Sequence, residues 1–160
     1  FVSAMLAAAA TSSDIKTVIS AGLSEIPVRS RLARDINEVI SLFNGGKSKE
    51  EAFAYIHQKY DETLSHHWCH TNSNAMIVAA SLLYGGGDFG NSICMAVETG
   101  FDTDCNGATV GSVIGMMYGS AAIGPEWSAP VNGTLDTSIL SVGRIKITRL
   151  VDKTMEHIRL

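Results

Sequence analysis

The chain carries little charge of either sign. Of its 160 residues, 12 are Lys or Arg and 16 are Asp or Glu, which is 18% of the chain and a formal net charge of −4. No long run of one sign occurs, so the electrostatic footprint of a nucleic-acid binder is missing and no nucleic-acid partner is expected. Cysteine is scarce as well. Cys69, Cys94 and Cys105 form an odd, sparse set, which does not read as a disulfide framework and points to a reducing, cytoplasmic setting. No stretch alternates apolar and polar residues with period two for long enough to be a strand. The first residues lack the basic region of a signal peptide. They form an apolar helical pattern with no cap ahead of it, FVSAMLAAAA, as expected for the C-terminal part of a longer domain.

What is present is apolar. Hydrophobic residues make up 46% of the chain, and a chain of this length folded as one domain buries roughly 70% of the surface that it exposes when unfolded. Leu32, Ile36, Val39, Ile40 and Phe43 share one helix face within 31–43, and Asn44-Gly45-Gly46 stops that helix. Ser48 with Glu51 three residues on is a capping box. Residues 75–84 are apolar on every face, which predicts a helix buried on most sides. Asp88 is the expected N-cap of a helix reaching about Glu98. A further helix is expected from about Asn106 to Ala122, a long loop over 124–143, and a final helix carrying Ile147, Leu150, Val151, Met155 and Ile158. The expected fold class is all-α, a multi-helix bundle.

Residues 107–124 contain no charge and reach the length at which a membrane span must be considered. Gly107, Gly111, Gly115 and Gly119 recur every four residues, so one helix face is nearly bare backbone. Such a face permits close helix packing in a membrane or in a soluble bundle. The amphipathic neighbours and the absence of a basic flank favour a buried central helix, with no membrane partner.

Just ahead of that helix stands Gly100-Phe101-Asp102-Thr103-Asp104-Cys105-Asn106-Gly107. Two carboxylates this close repel, and burying them requires neutralisation. A hard divalent cation supplies it, because carboxylate oxygens suit Mg²⁺, Mn²⁺ and Ca²⁺. The competing reading is a plain helix cap. An EF-hand loop fits Asp102, Asp104, Asn106 and Gly107 but requires a bidentate Glu where Val113 stands, which argues against it. His66-His67-Trp68-Cys69-His70 also collects potential ligands, yet consecutive helical residues point in different directions. A polar helix end is the better reading there than zinc.

Asp-Thr-Asp after a glycine and before a small-residue helix ending in Tyr118-Gly119 resembles the C-terminal metal motif of the ADP-ribosylglycohydrolases, relatives of the dinitrogenase reductase-activating glycohydrolase. The resemblance extends over His70-Thr71-Asn72-Ser73-Asn74, Gly87-Asp88-Phe89, Glu98 to Asp104, Gly107 to Gly111 and Gly124-Pro125-Glu126-Trp127. Ala21 to Pro27 looks like the family's connector before a long helix. The resemblance implies an all-helical bundle holding a binuclear Mg²⁺ or Mn²⁺ site. The implied reaction is hydrolysis of the bond between ADP-ribose and an acceptor, with ADP-ribose or an ADP-ribosylated molecule as substrate. Asp102 and Asp104 match the two C-terminal ligands. Cys105 stands where the family usually has a ligating Thr, and thiols suit hard cations poorly. His70 and Asn72 fall where substrate is expected. Phe101 and Trp127 read first as packing residues, and Phe101, beside Asp102, is the better stacking candidate of the two.

The resemblance also implies an N-terminal Thr-Asp-Asp group and an acidic residue that helps activate water. No Asp-Asp pair occurs in these 160 residues. The catalytic residues are therefore expected outside 1–160, which reads as the C-terminal part of a single domain. Two alternatives stay open: a non-catalytic relative acting as a binding or structural protein, and a hydrolase for another ribosyl substrate on the same scaffold.

Overall fold

The computed structural model describes residues 1–158. It is all-α apart from one small hairpin, as the periodicity implies. The chain packs as two compact units, Phe1–Ala122 and the segment from Ile123 onward.

The first unit contains α1 (Val2–Ala9), α2 (Ile15–Ser24), α3 (Arg31–Asn44), α4 (Lys49–Lys59), the short α5 (Ser65–Trp68), α6 (Thr71–Tyr84), α7 (Phe89–Glu98) and α8 (Thr103–Tyr118). Local chemistry sets most of their starts. Asp14, Ser30 and Asp88 each accept a first-turn backbone N–H, which satisfies one orphan donor of the helix. At α4, Ser48 and Glu51 form the complete capping box. Phe1, at the head of α1, offers no side-chain cap.

Helix α6 is the centre. From Met76 to Leu83 every residue is buried, and α3, α4, α7 and α8 all pack against it. A helix without a polar face is stable only when enclosed in this way. Full burial of an Ile, Leu or Met side chain stabilises by roughly 1.5–3 kcal/mol, so Met76, Ile77 and Leu82 anchor the core.

The bare glycine face of α8 meets α7. A Cβ built on Gly107 would stand 3.1 Å from Val97 Cγ2, and one on Gly111 would stand 3.1 Å from Ile93 Cδ1. The glycines thus serve close packing between two helices of one bundle. Among the described residues no helix is long and apolar enough to cross a membrane. Helix α8 differs from expectation at both ends, starting at Thr103 and ending at Tyr118. Gly119, at φ +75°, stops it in a conformation that L-residues avoid, and a 3-10 turn follows over Ser120–Ala122.

The second unit contains α9 (Pro125–Ser128), β1 (Thr134–Asp136), β2 (Arg144–Lys146) and α10 (Ile147–Ile158). The stretch 124–143, expected as loop, therefore includes a short helix and one strand. The strands pair antiparallel, with Leu135 opposite Ile145. Three residues are too few to show a period-two signal, and the pair is held by a cross-strand fork in which Arg144 Nε and Nη2 reach the Asp136 carboxylate at 2.7 and 2.9 Å.

Candidate metal centre

The segment between α7 and α8 is built on two unusual backbone positions. Gly100 has φ +85° and Phe101 has φ +60°. The left-handed region costs a non-glycine residue about 1–2 kcal/mol, so Phe101 must be held there by its surroundings. Its side chain is in the core at 4% exposure, tilted against the His57 ring at 5.1 Å. Its backbone is fully partnered. Phe101 N donates to Glu62 Oε2 at 2.8 Å. Phe101 O accepts from Trp68 Nε1 at 2.9 Å and from Thr103 N at 3.1 Å.

The acids follow immediately. Asp102 occupies the N-cap position of α8, yet its side chain makes no capping hydrogen bond. The simple capping explanation therefore does not account for this carboxylate. Ligand atoms of Asp102, Asp104 and Cys105 all lie within 4.8 Å of one another, the only such group of three or more His, Cys, Asp or Glu residues among the described residues. Asp102 is half-buried, whereas Asp104 and Cys105 are exposed. All three stand at the positive end of α8, where the helix dipole favours negative charge.

Asp102 and Cys105 border a cavity of about 390 Å³, together with Cys69, Thr71, Asn74, Ala75, Val78, Asn106 and Thr109 among others. That volume lies in the range of small-ligand sites. A larger groove elsewhere, bordered by Arg34, Glu38 and Tyr55, is remote in chemistry as it contains none of the three candidate ligands.

The donor set is mixed. Asp102 and Asp104 offer carboxylate oxygens suited to Mg²⁺ or Mn²⁺. Cys105 fits such an ion poorly. Hydrogen bonding to the Asp102 carboxylate and the negative charge of that group push the Cys105 thiol pKa up. The thiol therefore stays protonated, and a cation would have to displace that proton to gain sulfur as a ligand.

The other expected site residues are placed differently. Asn72 is buried, and its amide Nδ2 donates to Asp35 Oδ2 at 2.7 Å. His70 is the N-cap of α6, with Nδ1 accepting from Asn72 N at 3.0 Å. Burial, helped by the nearby His66, Arg31 and His67, lowers its pKa. Among the described residues that border the Asp102 cavity, neither His70, Asn72 nor Phe101 appears. The His66 ring lies 5.7 Å from that of His67 and 5.1 Å from that of His70.

Asn74 was not singled out from sequence, yet it touches the acidic loop directly. Its Oδ1 accepts from Asp102 N at 3.2 Å and from Asn106 Nδ2 at 2.7 Å. The available signal was its position four residues after His70 within the His-Thr-Asn-Ser-Asn string, on the first turn of the most buried helix.

The class is thus an all-α helical bundle that sets acidic side chains beside a cavity at a helix mouth. The chain belongs to the ADP-ribosylglycohydrolase family, whose model matches residues 1–159. No curated protein and no solved structure matches it. The family hydrolyses ADP-ribose linkages and is generally metal-dependent.

Proposed function

We propose that this chain contributes the C-terminal half of a metal-dependent site that hydrolyses the glycosidic bond between ADP-ribose and an acceptor. On this reading residues 1–160 are the C-terminal part of a single domain. Asp102 and Asp104 hold a divalent cation, Mg²⁺ or Mn²⁺, of a binuclear pair, and Cys105 takes the third position weakly. The observation that carries the reading is the convergence of these three ligand atoms within 4.8 Å beside a cavity, with the Asp102 carboxylate free of capping duty.

A bound cation would supply Lewis-acid charge stabilisation and orient ribose hydroxyls. The chain's own groups do the rest of the local work. Asp102, at the cavity edge, can accept a hydrogen bond from a ribose hydroxyl. Thr71 and Thr109 add hydroxyls to the same wall. Asn74, which borders the same cavity, accepts a hydrogen bond from the Asp102 backbone N–H. His70 and Asn72 act on this site through the start of α6, and Phe101 acts through the backbone turn that its buried ring secures.

Two carboxylates and one protonated thiol do not complete the coordination shell of two hard cations, each of which takes about six oxygens. The remaining ligands and the water-activating acid are donors outside these 160 residues. The isolated chain is expected to bind Mn²⁺ weakly and to hydrolyse nothing. Calorimetric titration with Mn²⁺ tests the assignment: Asp102→Ala should abolish the binding heat. Identical traces for the two proteins would remove Asp102 as a ligand, and robust hydrolysis by the isolated chain would overturn the half-site reading.

Cys105 at the expected Thr position and the lack of an Asp-Asp pair favour one alternative, a family relative that binds ADP-ribose without cleaving it. ADP-ribose binding that persists with no turnover after the missing donors are supplied would select it.

A further inference from the structure

Side chains between α4 and α6 fasten the acidic loop. Three side chains from the connector and first turn between α4 and α6 grip three consecutive backbone groups of 101–102: Glu62 takes Phe101 N, Trp68 takes Phe101 O, and Asn74 takes Asp102 N. Asn74 is the junction. Its Oδ1 accepts from Asp102 N and Asn106 Nδ2, while its Nδ2 donates to Trp68 O at 3.1 Å and His70 O at 3.0 Å. The amide thereby makes four hydrogen bonds, the full capacity of its two donors and two lone pairs. The amide orientation is therefore determined by its partners, and it ties the end of α5, the start of α6 and the mouth of α8 to one another.

We infer that Asn74 is a positioning residue for the cation site, acting through the Asp102 backbone, with Trp68 as its support. The inference rests on Asp102 being a ligand, and it adds what sets that ligand in place. Two features of the loop require such a clamp. Phe101 is held at φ +60°, which a loop without external bonds would relax. The Asp102 side chain is left out of the helix cap, so the direction of its carboxylate depends on how its backbone is anchored. Fixing the N–H of Asp102 from Asn74, and its C=O through the first helical bond to Asn106 N at 2.9 Å, leaves the side chain aimed at Asp104 and Cys105. Partners that orient a ligand in this way typically contribute 10–100-fold to metal affinity.

Ser73 supplies a matched control. Its hydroxyl bonds His67 O and His70 O, both at 2.9 Å, so it ties the same two helices without reaching the acidic loop. Mn²⁺ titration of the ¹⁵N-labelled chain, read as paramagnetic broadening of the Asp102 and Thr103 amide signals, gives affinity even when binding is weak. Asn74→Leu should weaken Mn²⁺ binding by about 10-fold or more and speed amide exchange at Phe101 and Asp102. Ser73→Ala should lower the unfolding midpoint and leave both readouts as in the parent chain. Trp68→Phe keeps an aromatic ring at a half-exposed position and deletes only the bond to Phe101 O. It should reproduce a smaller loss and serves if Asn74→Leu does not fold. Unchanged Mn²⁺ affinity in Asn74→Leu or Trp68→Phe, or an equal loss in Ser73→Ala, would overturn the positioning role. Unchanged broadening in Asp102→Ala instead removes the ligand assignment itself, while faster Asp102 amide exchange in Asn74→Leu still reports the clamp.

Discussion

Asn72 donates its side-chain amide to the buried carboxylate of Asp35 at 2.7 Å, joining α6 to α3. Lys59 Nζ at 2.8 Å and Tyr60 OH at 2.6 Å complete the shell of that carboxylate from α4 and its C-cap. Lys59 also pairs with Glu38. Burial works to raise the Asp35 pKa, but the bonds from Lys59, Tyr60 and Asn72 outweigh it and hold the group below its ordinary value. Tyr60 responds in the opposite sense: burial, then the hydrogen bond to Asp35, pushes its phenol up to about 12.

The first prediction follows from that cluster. A carboxylate with a depressed folded pKa contributes stability that is present above its unfolded value and lost as pH falls through the folded one. Stability to urea should therefore drop as pH is lowered from about 4. Asp35→Asn should flatten this acid limb. Asp35→Ala, which strands three donors, should cost on the order of 3–5 kcal/mol at neutral pH. An acid limb in Asp35→Asn as steep as in the parent chain would contradict the assignment.

His70 governs a second window. Its Nδ1 must be unprotonated to accept Asn72 N–H, and its pKa is lowered chiefly by burial. The unfolded chain thus binds the proton more readily, and stability should decline as pH falls below about 6.5. His70→Asn retains an N-cap acceptor without a titrating ring and should remove this limb while leaving the one below pH 4. Thermal unfolding followed from pH 8 to 5 decides the matter.

Phe101 reverses an ordinary preference. Glycine is normally less favourable than alanine by about 0.5–1 kcal/mol, but at φ +60° an alanine keeps the left-handed strain of about 1–2 kcal/mol and a glycine does not. Both variants lose the buried ring, at about 3–5 kcal/mol. Phe101→Gly should nevertheless be more stable than Phe101→Ala by roughly 0.5–1 kcal/mol. Equal or opposite order in chemical denaturation would show that the turn relaxes.

The glycine face of α8 gives the fourth prediction. A Cβ on Gly111 would already crowd Ile93 Cδ1 at 3.1 Å, so Gly111→Leu must push α7 away or force poor rotamers. Overpacking of this kind costs typically 1–3 kcal/mol. The same substitution at Gly119, where α8 has ended at a positive φ with nothing within 4 Å of the added Cβ, should be destabilising through the backbone alone, and Gly119→Asn should recover part of it. Comparison of the urea midpoints separates packing from backbone strain.

Helix positions were legible wherever periodicity and a cap agreed. Ser48 with Glu51, Asp88, and the apolar string 75–84 each announced an element that the structure contains. The boundaries of α8 were less legible, because Asp102 sits at a cap position without capping and Thr103 to Cys105 look equally at home in a loop. The hairpin of β1 and β2 was hidden because three-residue strands carry almost no pattern.

What the sequence determined by itself is the helical class, the buried rank of α6 and the proximity of Asp102 to Asp104, since these depend on neighbours within a turn or two of chain. Tertiary structure decided the rest. It gave Asn72 to Asp35 across 37 positions of chain and gave Asn74 to Asp102 across 28. It also buried the Phe101 ring among core residues. The physical reason is the same in each case. A polar side chain on a buried helix is assigned by whichever unpaired group packing brings to it, and hydrogen-bond satisfaction at long range leaves no periodic trace in the residues between.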